Sequence, residues 1–354
     1  MSIAIGLIGC GAISRKHLKT IANVDSVQLR AVSDVDDDKM SEAVERYRTL
    51  TGDQTFITKL NDYKALIKRE DVDAVVVALL SSMHATVAKE ALKAGKHVML
   101  EKPIALSLQD TDELINLQRL TNNVVLVCHQ LRYRPVFQKI KWLMDEGVIG
   151  KPYYGTASLK IYRPKHYYSS AAWRGSWDKD GGMLVNQGIH LIDLLIWLLG
   201  DVHSVYGQIG RYLPFKETED VASGVLQFEN GARAVLDANS VTLPNNLGYE
   251  LTLVCDKATI SLKGALDQLE RCFVESHPEI EKELNLLMND TREHEYMYED
   301  FVKSIKTTKS VKMSCVEGKK AFEVIGGLYL SHLKNNVITF PIESFSTSDM
   351  KGSC

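Results

Sequence analysis

The stretch Ile3-Ala-Ile-Gly-Leu-Ile-Gly-Cys-Gly-Ala-Ile-Ser14 runs an apolar strand into closely spaced glycines and then into a helix. Gly9 and Gly11 stand where the backbone must turn sharply and let a diphosphate approach, and the unpaired amides that open the helix, from Ala12 and Ile13 onward, are donors for an anion. The third glycine position of this pattern holds Ser14. Taken alone, such a loop also fits a tight strand-to-helix turn with no ligand, so its reading depends on the residues downstream.

Downstream lies Leu29-Arg-Ala-Val-Ser-Asp34, a second strand ending on a carboxylate about 25 residues beyond Gly9, near the spacing of an acid that holds an adenosine ribose. Asp34 can accept from both ribose hydroxyls, whereas a 2′-phosphate at ~4 Å would be repelled by ~4 kcal/mol at an effective dielectric near 20. Asp36, Asp37 and Asp38 extend the negative field and no arginine comes directly after them. The cofactor expected is therefore NAD rather than NADP. A solvated acidic turn is the alternative, and it suits Asp37 and Asp38 better than Asp34.

Strand-like and helical runs then alternate. Ile3 to Ile8, Gln28 to Ser33, Ala74 to Leu80, His97 to Leu100 and Val124 to His129 read as strands; Arg15 to Ala22, Lys39 to Leu50, Tyr63 to Lys68, His84 to Ala94 and Leu108 to Leu120 read as helices. Strands that are apolar nearly throughout predict an α/β fold, a doubly wound parallel sheet of Rossmann type over residues 1–127. Beyond Pro135 come alternating runs, such as Val202 to Gly210, Val221 to Phe228 and Ala232 to Ser240, parted by turns such as Glu229-Asn230-Gly231. They predict an α+β domain, residues 128–343, with an open, largely antiparallel sheet and helices on one face. The polar segment 344–354 is expected to be a mobile tail.

Composition limits the function. A chain of 354 residues suggests two domains, and 45% hydrophobic with 25% charged residues suffices for a sizeable core. A net charge of −3 leaves no footprint for nucleic acid. The six cysteines, Cys354 included, have no paired spacing, so neither a zinc site nor a disulfide framework is indicated, and a reducing cytoplasm is the expected location. No charged leader precedes a cleavable apolar run, and the apolar block Leu191 to Leu199, interrupted by Asp193, is too short to span a bilayer. His203, His277 and His332 lack ligand spacing, and no metal is expected.

Two further segments, Ala91-Leu-Lys-Ala-Gly-Lys-His-Val-Met-Leu-Glu-Lys-Pro103 and Gly181-Gly-Met-Leu-Val-Asn-Gln-Gly-Ile-His-Leu-Ile-Asp193, together with the glycine loop, resemble the glucose-fructose oxidoreductase, inositol dehydrogenase and MocA (Gfo/Idh/MocA) family. The resemblance extends to Glu299-Asp-Phe-Val-Lys-Ser-Ile and Val337-Ile-Thr-Phe-Pro341. It implies that Lys102 reaches both the nicotinamide side and the substrate hydroxyl, that Glu101 contacts the nicotinamide ribose, and that His190 accepts the proton. Hydride can leave a carbinol carbon only as its hydroxyl is deprotonated; imidazole titrates near neutral pH, and an ammonium lowers the cost of the developing alkoxide. The resemblance also places Leu79, Ser81, His84, Gln130, Trp173 and Arg174 around the cofactor, with His84 open to a packing role; it makes Arg132 a further candidate at the nicotinamide or substrate, and Tyr133 and Arg134 are expected to pack the hinge. It further implies a homo-oligomer, dimer or tetramer, for which the bare face of the second sheet is the candidate surface.

Many members of the family carry an aspartate where this chain has Asn186. An amide can orient the sugar or the imidazole but cannot share a proton, and Asp193, one helical turn after His190, is either a second partner for the ring or a structural acceptor. The run Tyr162-Arg-Pro-Lys-His-Tyr-Tyr-Ser-Ser-Ala-Ala-Trp-Arg-Gly-Ser-Trp177, followed by Asn186-Gln-Gly-Ile-His190, is similar to one branch of the family, the bacterial UDP-N-acetyl-glucosaminuronate 3-dehydrogenases of surface-polysaccharide synthesis. That likeness implies a UDP-sugar substrate contacted by Arg163, Tyr167, Asn186, Gln187, His190 and Lys102. Arg163 and Lys165 suit a carboxylate or diphosphate, and Tyr162, Tyr167 and Tyr168 offer flat faces or merely cover the sheet edge. Two alternatives stand beside it: a dehydrogenase or ketoreductase for another sugar or inositol, and an NAD-binding regulator without turnover, which would need neither Lys102 nor His190.

Overall fold

The glycine loop opens a parallel sheet in the computed structural model, which describes residues 2–353. Strands β1 (Ile3–Ile8), β2 (Val27–Ser33), β3 (Thr58–Leu60), β4 (Ala74–Val77), β5 (His97–Leu100) and β6 (Val125–Val127) lie in the order β3-β2-β1-β4-β5-β6, and every pairing is parallel. Val75, Val77, Val98, Leu100, Val125 and Val127 are buried together with Val87, Ala88 and Ala91 of a covering helix. Two-sided burial is why these strands read as apolar runs rather than alternations. Between the strands run α1 (Ser14–Asn23), α2 (Asp37–Thr51), α3 (Tyr63–Ile67), α4 (His84–Lys93) and α5 (Leu108–Thr121). Asp36 caps α2 by accepting from the amides of Asp38 and Lys39, which gives one member of the acidic run a local structural purpose. Strand β3 escapes a reading by pattern because its three residues, Thr-Lys-Leu, carry none.

The second sheet has eight strands: β7 (Pro152–Lys160), β8 (Val202–Gly210), β9 (Val221–Phe228), β10 (Arg233–Asn239), β11 (Gly248–Cys255), β12 (Ala258–Lys263), β13 (Gln268–Val274) and β14 (Ile338–Thr339), ordered β13-β12-β11-β7-β10-β9-β8-β14. Only β7 with β10 is parallel; the other pairings are antiparallel, as the alternating pattern predicts. The accompanying helices are α6 (Pro135–Asp145), α7 (Lys165–Ser169), α8 (Ile189–Leu199) and α9 (Glu279–Met288). Helix α8 is apolar nearly all round because it is buried nearly all round. On the sheet's other face, Tyr206, Val225 and Val235 form one row across β8, β9 and β10 and are 40%, 51% and 37% exposed.

Helices α10 (Glu293–Thr307) and α11 (Cys315–Lys334) come next. They correct the expected boundary at residue 127: one compact unit comprises the chain up to Ala105, Gln109–Gln130 and Arg292–Lys319, and the other comprises Leu106–Leu108, Leu131–Thr291 and the chain from Lys320 onward. The return has a physical cause that strand alternation cannot show. The Val127 amide donates to Met313 O at 2.9 Å, and Asn23 reaches Glu295 at 3.0 Å.

The mobile tail is a second correction. Phe345, Thr347 and Met350 are buried, a turn Thr347–Met350 starts on a capping box made by Ser346 and Asp349, and the Thr347 hydroxyl donates to Trp177 O at 2.6 Å. Two apolar anchors spaced among serines and threonines are invisible to a reading by composition. Cys354 lies outside the described residues. Cys10, Cys128, Cys255, Cys272 and Cys315 are free thiols, and among the described residues no helix is long and apolar enough to cross a membrane.

Candidate active site

In the first unit the glycine loop has the shape that a dinucleotide needs. Gly9 adopts φ +97°, and a Cβ there would lie 2.3 Å from Ala78 O, so no side chain fits. A Cβ on Gly11 would meet nothing within 4 Å, so this glycine leaves room on its outer side. Ser14, in the third position, is buried, and its hydroxyl donates to Gly11 O at 2.5 Å, which is how a serine is accommodated inside the turn. Helix α1 starts after Ile13 with no side-chain cap, so its first amides suit an anion beside the exposed Ala12. Asp34 accepts from the Cys10 amide at 2.8 Å and from the Asp36 amide at 3.1 Å, which fixes the carboxylate against the loop. These donors, this space and this acid fit the diphosphate and ribose of NAD. Burial and then the Asp34 charge push the Cys10 thiol up to about 12, so it serves the loop as a small apolar residue.

At the ends of β4 and β5, His84 is fully enclosed. Its Nδ1 lies 2.7 Å from Pro103 O and its Nε2 lies 3.1 Å from Leu79 O, and burial lowers its pKa. It ties the segment after β4 to the segment after β5, the packing role left open by the sequence. Leu79, Ser81, Lys102 and Gln130 are half-buried.

Glu101 is more enclosed than the resemblance implies. Its Oε1 lies 2.9 Å from His17 Nε2, His17 Nδ1 lies 2.8 Å from the Tyr298 hydroxyl, and the Lys102 amide donates to Glu101 Oε2 at 3.2 Å. Burial alone would raise this carboxyl, but the bond and charge of His17 and the charge of Lys102 outweigh it and hold the group at about 2. The sequence reading misses His17 and Tyr298, although His17 sits on the inward face of α1. Ligand atoms of His17, Glu101 and Cys128 lie within 4.8 Å of one another; His17 and Glu101 are paired, and burial pushes the Cys128 thiol well up.

In the second unit a small cavity, partly open to solvent, is lined by Arg163, Tyr167, Asp180, Asn186 and Gln187, together with the buried Thr218 and Ser240. Arg163 donates to Gln187 Oε1 at 2.7 Å, Gln187 donates to the Tyr167 hydroxyl at 3.0 Å, and Arg174 donates to the same hydroxyl at 2.6 Å. Both guanidiniums lie near the Tyr167 ring, at 5.2 and 4.3 Å from its centroid, and Arg174 also lies 4.6 Å from the Trp173 ring. The structure thus joins Trp173 and Arg174, expected at the cofactor, to the residues expected at the substrate. Lys165 is exposed at the start of α7.

Asn186 and Gln187 ride on a π-helical turn, Leu184–Gly188, that runs into α8 and its half-buried His190; such turns are frequent at functional sites. The preceding Gly182 has φ +103°, and a Cβ on it would lie 2.6 Å from Glu219 Oε2. Glu219 is a supporting residue that the sequence does not reveal. It accepts from the Leu184 amide at 2.9 Å and from the Tyr329 hydroxyl at 2.5 Å, and burial raises its pKa against the nearby Lys216 charge. Lys216 itself is fully buried 2.8 Å from Asp220. Arg132 holds Asp193 in a two-bond fork, at 2.8 and 2.7 Å, which gives both a structural task.

Residues 3–129 match the family model of oxidoreductases with an NAD-binding Rossmann fold, and residues 137–261 match that of the GFO/IDH/MocA C-terminal domain. The chain belongs to the Gfo/Idh/MocA family of oxidoreductases. Among solved members, it is similar to the WlbA dehydrogenase of Chromobacterium violaceum in complex with NADH and UDP-GlcNAcA, at 27% identity over 97% of both chains and a TM-score of 0.89. It also resembles the WlbA dehydrogenase of Bordetella pertussis in complex with the same two ligands, at 28% identity over 97% of this chain and 99% of that one, TM-score 0.87. A myo-inositol 2-dehydrogenase of Thermotoga maritima is 29% identical over 66% of this chain and 67% of its own length. Matches to the curated relatives span 56% to 68% of those proteins' lengths. The first unit is thus the NAD-binding Rossmann domain of a Gfo/Idh/MocA oxidoreductase.

Proposed function

We propose that this protein oxidises the 3-hydroxyl of a UDP-linked N-acetylhexosaminuronic acid, with NAD as the hydride acceptor, in the synthesis of sugars for surface polysaccharide. The observation that carries the reading is the pair Arg163 and Arg174 grouped around Tyr167, with Arg163 and Tyr167 lining the cavity, next to likeness over 97% of the chain to proteins crystallised with UDP-GlcNAcA. Two planar cations beside a flat ring suit a substrate with carboxylate and diphosphate charges.

Bound NAD supplies a carbon that takes up hydride. The remaining tasks fall to the chain. The amides after Gly9 and Gly11 bind diphosphate, Asp34 selects the unphosphorylated ribose, His190 takes the hydroxyl proton, Lys102 stabilises the oxygen as negative charge develops, and Gln187 and Asn186 orient the sugar. We place the protein in the cytoplasm as a homo-oligomer whose contact is the bare sheet face around Val225.

Quenching titrations with NADH and NADPH, followed by NADH formation across a panel of UDP-sugars, UDP-uronates and inositols, test the reading. NADH preference and turnover confined to UDP-uronates would support it. The inositol dehydrogenase relative favours inositol as the second reading, and turnover of inositol with no response to UDP-uronates would replace the first with it.

A further inference from the structure

The family position commonly held by aspartate is Asn186 here, yet a carboxylate still stands beside it. Asn186 Nδ2 donates to Asp180 Oδ1, and Asp180 Oδ2 accepts from the Gly175 amide at 2.7 Å. Asp180 is 4% exposed, and both residues line the cavity with Gln187. An ionised carboxylate only accepts, so the amide must turn its NH2 end to Asp180 and its carbonyl end away. Gly175, with φ +73° and Lys216 Cβ only 2.7 Å from where its own Cβ would stand, has little freedom to move, so Asp180 is held from behind.

Resting on the proposed sugar dehydrogenase reading, we infer that Asp180 is a positioning residue that locks the Asn186 amide so that position 186 offers the sugar an acceptor, selecting substrates with a hydroxyl or N–H donor there. The negative charge stands at 180, six positions before Asn186, while an acceptor oxygen stays at 186. Charged and titratable groups around the pair include Arg163, Tyr167, Tyr168 and Arg174 from the loop, Lys216 behind Gly175, and His190 four residues on.

A charge swap tests this. In Asp180→Asn the new amide still accepts from Gly175 but directs its NH2 at Asn186, which must rotate and present a donor; kcat/KM for the sugar should fall ~10- to 100-fold with NADH affinity and melting temperature nearly unchanged. In Asn186→Asp two carboxylates face each other and must share a proton, so activity and melting temperature should both fall as pH rises from about 5 to 8. The double variant Asp180→Asn/Asn186→Asp restores one amide and one carboxylate with a hydrogen bond between positions 180 and 186 and one from the Gly175 amide, and should recover to within about tenfold of the parent at neutral pH.

A swap no better than the product of the two single losses would overturn the inference, as would an Asn186→Asp variant whose melting temperature follows pH as the parent's does. The melting readout needs no substrate. A parent protein inert on every UDP-sugar therefore defeats the proposed function alone, while the pair is still judged by the pH slope of the single variant and its loss in the swap.

Discussion

His17 Nε2 lies 2.9 Å from Glu101 Oε1, while the other ring nitrogen lies 2.8 Å from the Tyr298 hydroxyl. A residue of the first helix thereby orients the carboxylate that immediately precedes Lys102. Glu101 is held at about 2, below its usual 4.5. A depressed folded value stabilises the fold above about pH 4.5 and loses that contribution as pH falls toward about 2. Glu101→Gln should be less stable at neutral pH and should flatten the acid limb of melting temperature against pH; an acid limb identical to the parent's would assign acid sensitivity to other groups.

Asp34 is fixed by the Cys10 and Asp36 amides, so its removal affects both cofactor choice and loop order. Asp34→Ala should weaken NADH binding ~10- to 100-fold, the loss of a charged hydrogen bond worth about 1.5–3 kcal/mol, and narrow the gap between NADH and NADPH. Fluorescence quenching with the two cofactors reads this directly. A retained NADH preference would move the selection elsewhere.

His190→Asn should cut turnover at least ~100-fold and leave NADH affinity nearly intact. Steady-state rates beside cofactor titrations separate the two effects. Parent-like turnover would take the proton from His190 and give it to another group.

The Arg132–Asp193 fork is buried on both sides. Arg132→Met strands the Asp193 carboxylate in the core and should cost ~3–5 kcal/mol of stability, whereas Arg132→Met/Asp193→Leu should cost less than the single change. Chemical denaturation measures both, and a double variant worse than the single one would show that the fork is favourable beyond satisfying its own charges.

Val225, between Tyr206 and Val235 in the exposed row, tests the proposed assembly surface. Val225→Lys puts a charge at the centre of that face and should shift the protein toward smaller species by light scattering with the melting temperature of dilute protein little changed. An unaltered mass would place the contact on another surface.

The sequence reveals most of what is periodic or locally constrained. The Rossmann strands are legible because both of their faces are buried, and Gly9, Gly11 and Asp34 because a diphosphate and a ribose demand those residue types at that spacing. Arg163, Tyr167, Asn186 and Gln187, singled out in the sequence as candidate substrate contacts, line one cavity. The hidden features depend on distant partners. Tyr298 meets His17 across 281 positions, and Glu219 meets Tyr329 across 110; no local pattern announces either. The tail and the returning helix escape for the same reason, since Phe345 and Met350 acquire meaning only from the core that receives them.

Met350 and Thr347 set a limit on cutting this part of the chain. A proteolytic cut before Thr347 would remove both the buried methionine and the threonine whose hydroxyl holds the Trp177 carbonyl. Trp177 stands three residues before Asp180, so digestion past that point would loosen the turn that presents the sugar cavity, and the length of the protease-resistant product would report its integrity.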